Sequence, residues 1–199
     1  MTQPLVLASS SPFRRMLMEN AGLVFQTRAA SIDERAIDQK LEAAGATPQE
    51  VALALARAKA LDVCHHYPGA FVIGSDQTMS LGERVYHKPS SRAEAREAIL
   101  SLSGKTHHLN SGVAIARDGE VLWETVSRAA LTVRPLTEAF VDRYLDTAGD
   151  AVLGSVGGYQ LEGHGIQLFS AIDGDYFTIL GLPMLPVLNA LRELRAIDG

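Results

Sequence analysis

Leu5-Val6-Leu7-Ala8-Ser9-Ser10-Ser11-Pro12-Phe13-Arg14-Arg15 reads as strand, turn and helix in eleven residues. Four consecutive apolar residues make a short buried strand. The serines and Pro12 then start a helix, because a hydroxyl can cap its free N–H groups and proline suits its first turn. The helix should run to about Gly22. Outward from this unit, residues 24–29 read as a second short strand. Residues 30–45 are polar and acidic, a loop or lid followed by a short helix. Thr47 and Glu50 form a capping box opening a long helix to about Tyr67. Phe71-Val72-Ile73 is a buried strand ending at Gly74-Ser75-Asp76. Residues 79–86 suggest a hairpin turning at Gly82, and residues 90–102 an amphipathic helix.

Residues 107–116 and 120–133 alternate like strands, and Asp118-Gly119 between them is a two-residue hairpin signal. Residues 137–148 read as helix, 149–165 as a glycine-rich loop, 166–172 as strand and 183–196 as a closing helix. Helices and strands alternate, so the class is α/β or α+β. The long central hairpin argues for a mixed sheet. The 199 residues suffice to bury a core without staples.

Composition excludes several functions. The net charge is −5, against a sequence-independent nucleic-acid binder, though a local basic pocket could still hold a small anion. The single cysteine, Cys64, allows no internal disulfide, fits a reducing cytoplasm and reads as a buried helix residue. No apolar run is long enough to span a bilayer, and residues 1–4 lack a basic leader. Gly104-Lys105-Thr106 resembles the end of a P-loop, but Ile99 stands where that pattern needs glycine. Gly163-His164-Gly165 is not continued as a dinucleotide fingerprint, since position 168 is Leu168. Leu153 breaks a nucleophile elbow at Gly154-Ser155-Val156-Gly157. The pairs His65-His66 and His107-His108 lack helical zinc spacing.

Four segments instead place polar residues at the ends of apolar elements. Ser9, Ser11, Arg14 and Arg15 surround a helix N-terminus, an anion site in waiting or merely a capped surface helix. Asp76 follows a buried strand, where a carboxylate is either catalytic or a turn cap. Lys59 lies four residues after Leu55 and points toward core or cleft, or else snorkels. In His87-Lys88-Pro89 the proline stiffens the turn that carries Lys88. Asp33-Glu34 could supply a metal carboxylate or be solvated.

Together the blocks resemble the Maf family of nucleoside triphosphate pyrophosphatases. They are Leu7-Ala8-Ser9-Ser10-Ser11-Pro12-Phe13-Arg14-Arg15, Ser31-Ile32-Asp33-Glu34, Ala56-Arg57-Ala58-Lys59-Ala60, Ile73-Gly74-Ser75-Asp76-Gln77 and Lys88-Pro89. They continue through Leu102-Ser103-Gly104-Lys105-Thr106-His107, Gly158-Tyr159-Gln160-Leu161-Glu162-Gly163-His164-Gly165, Gly174-Asp175-Tyr176 and Gly181-Leu182-Pro183. The resemblance spans essentially the whole chain. It implies one domain of two lobes around a deep cleft, with the mixed sheet of an inosine triphosphatase-like fold. It also implies hydrolysis between the α and β phosphates with a divalent metal, Mg²⁺ or Mn²⁺, and is compatible with a homodimer. Carried across, Asp76 is the proton acceptor and Ser9, Arg14, Arg15, Lys59 and Lys88 are the phosphate candidates. Glu34 lies near the metal, with Glu34 and Asp76 its carboxylates.

Three positions bear on the substrate. Phe13, Gln77 and Glu162 stand where the 7-methyl-GTP branch tends to carry tryptophan, glutamine and glutamate. The dTTP/UTP branch tends to carry arginine, threonine and glutamine. The pattern points to 7-methyl-GTP or another modified purine. An aromatic face attracts the positive charge that methylation puts on guanine, and Glu162 could accept its N–H groups. The alternatives are a dTTP/UTP pyrophosphatase and a non-catalytic nucleotide-binding regulator of cell division, which would need the phosphate ligands but no base.

Overall fold

The computed structural model describes residues 4–198. In chain order the elements are β1 (Leu5–Ala8), α1 (Pro12–Asn20), β2 (Gln26–Thr27), α2 (Glu34–Ala43), α3 (Pro48–Cys64), β3 (Phe71–Leu81) and β4 (Arg84–Tyr86). There follow α4 (Arg92–Leu102), β5 (Thr106–Arg117), β6 (Glu120–Val133), α5 (Glu138–Ala148), β7 (Phe169–Asp173), α6 (Tyr176–Ile179) and α7 (Met184–Glu193). Among the described residues the strands form one seven-stranded sheet in the order β2-β1-β3-β5-β6-β7, with β4 on β3. It is mixed: β1 is parallel to β2 and β3, while β3–β4 and β6–β7 are antiparallel. No helix among the described residues is long and apolar enough to cross a membrane.

Two compact units make up the chain. The first comprises the residues up to Gln77, Asn110–Ser127 and those from Asp175 onward. Its core is built from small side chains: Ala56, Ala60, Val63 and Cys64 of α3 pack with Val6, Ala8, Val72, Ala114 and Ala116 of the strands. Small residues let the helix approach the sheet closely, and Gly74 marks the closest point. A Cβ on Gly74 would lie 2.2 Å from the Ala56 carbonyl oxygen and 2.6 Å from the Ala60 nitrogen, both backbone atoms. Gly74→Ala must therefore push α3 off β3. We expect it to cost about 3 kcal/mol or more, read from chemical denaturation. The β5–β6 turn is of the kind its sequence announces, with Asp118 at φ 50° and Gly119 at φ 86°.

The second unit comprises Thr78–Leu109 and Arg128–Gly174. His107 is fully buried in it. Its Nε2 lies 2.6 Å from the Tyr159 hydroxyl, Phe169 packs beside both rings, and its Nδ1 has no hydrogen-bond partner. Burial, and secondarily the charge of His108, lowers the His107 pKa to about 4. The unfolded chain therefore takes up a proton that the folded chain refuses, and stability falls as pH drops from about 6.5 toward 4. The stability difference between wild type and His107→Phe should shrink by about 3 kcal/mol between pH 7 and pH 4. An unchanged difference would contradict a neutral buried imidazole.

Four expectations need correction. The second strand is only Gln26–Thr27, because Arg28 N–H donates to the Leu7 carbonyl and the chain then leaves the sheet edge. β3 does not end at Asp76 but continues to Leu81, since residues 74–80 are almost all buried and serve one continuous strand. Asp76 is therefore a mid-strand residue. Residues 149–168 are largely three short 3₁₀ helices rather than an open loop, so β7 starts at Phe169 instead of 166. Asp175 caps a short helix the sequence did not announce, accepting from the Phe177 and Thr178 N–H groups at 2.9 and 3.0 Å.

Candidate active site

The site in the first unit begins at the β1–α1 turn. Ser11 caps α1 through its hydroxyl, which accepts from the Arg14 N–H. That cap aims the Arg14 side chain back across the sheet. Its Nε donates to the Gly181 carbonyl at 2.9 Å, and its Nη1 to the Ser75 carbonyl at 2.8 Å and to Ser9 Oγ at 3.3 Å. The guanidinium is thus fixed in place through Nε and Nη1. Burial pulls its pKa below the ordinary arginine value, opposed by the negative charges of Asp76 and Glu34. Arginine nevertheless stays charged at any working pH. Ser9 Oγ accepts twice, from Arg14 and from the Ser11 N–H at 3.2 Å, so its own proton is available to donate. Arg15 is elsewhere: 61% exposed and paired with Glu19 at 2.7 Å on the helix surface.

Lys59, Asp76 and Glu34 meet beside this cation. The α3 periodicity carries Lys59 inward, where it is buried, and Asp76 is buried opposite it on β3. Lys59 Nζ donates to Asp76 Oδ1 at 2.6 Å and pairs with Glu34 Oε2 at 3.0 Å. Glu34 reaches this point because the preceding loop is pinned. The Ser31 N–H donates to the Asp62 carboxylate of α3 at 2.8 Å, and Asp33 caps α2 by accepting from the Ala36 N–H at 3.0 Å. Asp33 thus serves as a cap, while Glu34 in the first helical turn remains half exposed and faces Lys59. Two cations, Arg14 and Lys59, balance two carboxylates. Both carboxylates touch one point through oxygen, the donor chemistry that suits a hard divalent cation completing its shell with water and phosphate oxygens. Among the described residues no third acidic, histidine or cysteine ligand joins them.

Gln77 follows Asp76 and its amide orientation is fixed. Nε2 donates toward Ser111 Oγ, the Thr178 carbonyl and the Ile179 carbonyl at 2.9, 3.0 and 3.1 Å. Carbonyl oxygens only accept, so the amide nitrogen belongs to the protein, and only the amide oxygen can address a ligand. Phe13 is half-buried on α1. Sequence reasoning missed the residues that hold this arrangement. Ser75 Oγ donates to the Gly112 and Gly181 carbonyls at 3.0 and 2.8 Å, and Ser111 Oγ to the Thr178 carbonyl at 2.8 Å. A hydroxyl inside an otherwise buried strand must find a partner. Ser75 and Ser111 carried that signal.

Lys88 and Glu162 belong to the second unit. Lys88 is exposed just after β4, with Pro89 beside it buried. Glu162 is exposed between two 3₁₀ helices, next to buried Leu161. Cys64 is buried, and burial raises its thiol pKa, as expected of an inert core residue.

Residues 4–194 match the family described as Maf-like protein. The chain is 64% identical over 199 residues to a 7-methyl-GTP pyrophosphatase of Rhizobium johnstonii (strain DSM 114642 / LMG 32736 / 3841), covering 100% of both chains. It is 63% identical to a protein of the same name in Rhizobium meliloti (strain 1021), covering 98% of each. A nucleoside triphosphate pyrophosphatase of Rhodopseudomonas palustris (strain BisB18) is 50% identical over 98% of this chain and 96% of its own. With a match that runs from the first strand to the last helix, the chain belongs to the Maf family.

Proposed function

We propose that this chain hydrolyses the α–β phosphoanhydride of a nucleoside triphosphate to a monophosphate and pyrophosphate, with 7-methyl-GTP its leading substrate. The observation that carries the reading is the buried Lys59–Asp76 pair, with Glu34 on the same ammonium and Arg14 fixed beside it. The names borne by the relatives support it. A triphosphate brings about four negative charges, which need several fixed cations to meet them in a desolvated site. Arg14 Nη2, the Ser9 hydroxyl and Lys59 supply donors in the first unit, and Arg15, paired with Glu19 on the helix surface, is left out of this reading. Asp76 accepts the proton of the attacking water. The water oxygen bonds the α phosphorus, the bond to the bridging oxygen breaks, and pyrophosphate leaves with that electron pair. When bound by Asp76 and Glu34, Mg²⁺ or Mn²⁺ neutralises phosphate charge and polarises the phosphoryl oxygens.

The base is read by what remains free to face it. The Gln77 amide oxygen can accept only from a donor edge, such as N1–H and the exocyclic amine of guanine. Phe13 offers an aromatic face to a methylated, positively charged ring. The test is a side-by-side panel of 7-methyl-GTP, GTP, dTTP and UTP with Mg²⁺. We expect kcat/KM to be highest for 7-methyl-GTP. A higher value for dTTP or UTP would replace the purine reading with the pyrimidine one. Binding without metal-dependent pyrophosphate release would instead indicate a regulator. The lone, buried Cys64 supports a cytoplasmic location. We carry the homodimer forward as its assembly, to be read by light scattering.

A further inference from the structure

We propose that Lys59 closes the metal position in the free protein, so that the divalent cation enters with the triphosphate and not ahead of it. The proposal rests on reading Asp76 and Glu34 as metal carboxylates and adds an order of binding to it. The Lys59 ammonium already lies between those two groups, 2.6 Å from Asp76 Oδ1 and 3.0 Å from Glu34 Oε2. A hard cation needs the same oxygens at about 2.0–2.4 Å, and an ammonium at hydrogen-bond distance would repel it. Nor does the site offer net negative charge to offset that repulsion. Arg14 stands close enough for Asp76 and Glu34 to act on its guanidinium, so each carboxylate is already matched by a cation.

The ammonium can leave because lysine is a compact point charge on a flexible stem. What it lacks in the free protein is somewhere better to go. A triphosphate oxygen provides that partner. Once Lys59 pairs with phosphate, both carboxylates are released for the cation. Metal and nucleotide then strengthen each other's binding by the same factor. Lys59 is in this respect a positioning residue for the metal as well as a phosphate ligand.

The test is Mn²⁺ binding to the full chain without nucleotide, followed by electron paramagnetic resonance of the free ion. Lys59→Met, which keeps the stem and removes the charge, should bind Mn²⁺ at least about tenfold more tightly than wild type. Lys59→Arg should stay as weak as wild type. Adding Glu34→Gln to Lys59→Met should abolish the gain. Equal affinity of wild type and Lys59→Met overturns the proposal. It leaves the catalytic reading standing if Asp76→Asn still abolishes pyrophosphate release. A gain that survives Glu34→Gln places the metal elsewhere and overturns the carboxylate reading itself. A second readout needs only the wild-type side chain: the Lys59 ¹⁵Nζ resonance, assigned by its loss in Lys59→Arg. Mg²⁺ alone should leave it unmoved, and Mg²⁺ with an α,β-methylene triphosphate should shift it. A shift on Mg²⁺ alone contradicts the proposal.

Discussion

Asp76→Asn should lower kcat for pyrophosphate release by about 10³–10⁴ while changing nucleotide affinity, measured without divalent metal, only a few-fold. The substitution keeps size and shape but removes the basicity that the proposed mechanism needs to accept the proton of water. Lys59 would keep Glu34 as a partner at 3.0 Å, so the phosphate-binding cation should stay near its place. The two readouts must therefore separate. Pre-steady-state pyrophosphate release measures the first, and calorimetry with an α,β-methylene triphosphate the second. Near-normal turnover would remove Asp76 from the mechanism. Parallel loss of binding would make it a structural partner of Lys59.

Arg14→Ala carries the other large effect. In the proposed mechanism Arg14 contributes a fixed charge to the phosphates, and in the structure it ties three segments together through the Gly181 and Ser75 carbonyls and Ser9 Oγ. We expect kcat/KM to fall about 10²–10³ and stability to fall about 2–4 kcal/mol, because buried backbone oxygens lose a charged donor. Arg14→Lys should recover part of the charge effect and little of the stability, since an ammonium cannot reproduce the guanidinium fork. Arg15→Ala is the contrast. Its exposed pair with Glu19 is worth at most a fraction of this, and kcat/KM should stay within about twofold. Equal losses in the two alanine variants would show that the adjacent arginines share the phosphate role.

How much of this could be read from the chain follows from what is local. The Thr47–Glu50 capping box and the Asp118-Gly119 turn appear as expected, because each is decided by a few adjacent residues. Helical periodicity likewise put Lys59 on the apolar face of α3, but whether its ammonium turns inward or snorkels is decided by Asp76 and Glu34, which the periodicity does not contain. The strand boundary at Asp76 was not legible. Gly74, Ser75 and Asp76 look like a turn in sequence, but Gly74 sits mid-strand so that α3 can approach, and the Ser75 hydroxyl is satisfied by carbonyls 37 and 106 residues away. The separation of Arg14 from Arg15 was equally hidden. Adjacent helical residues point about 100° apart, and which one faces Ser75 depends on how α1 packs. The orientation of the Gln77 amide is set by Ser111, Thr178 and Ile179, which no local pattern connects to it.

Hydrolysis of 7-methyl-GTP in H₂¹⁸O, with products resolved by mass spectrometry, bears most directly on the proposed chemistry. Attack at the α phosphorus by a water deprotonated at Asp76 should put one ¹⁸O into the nucleoside monophosphate and leave the released pyrophosphate unlabelled. Label in the pyrophosphate, or release of single phosphates with a nucleoside diphosphate, would contradict it.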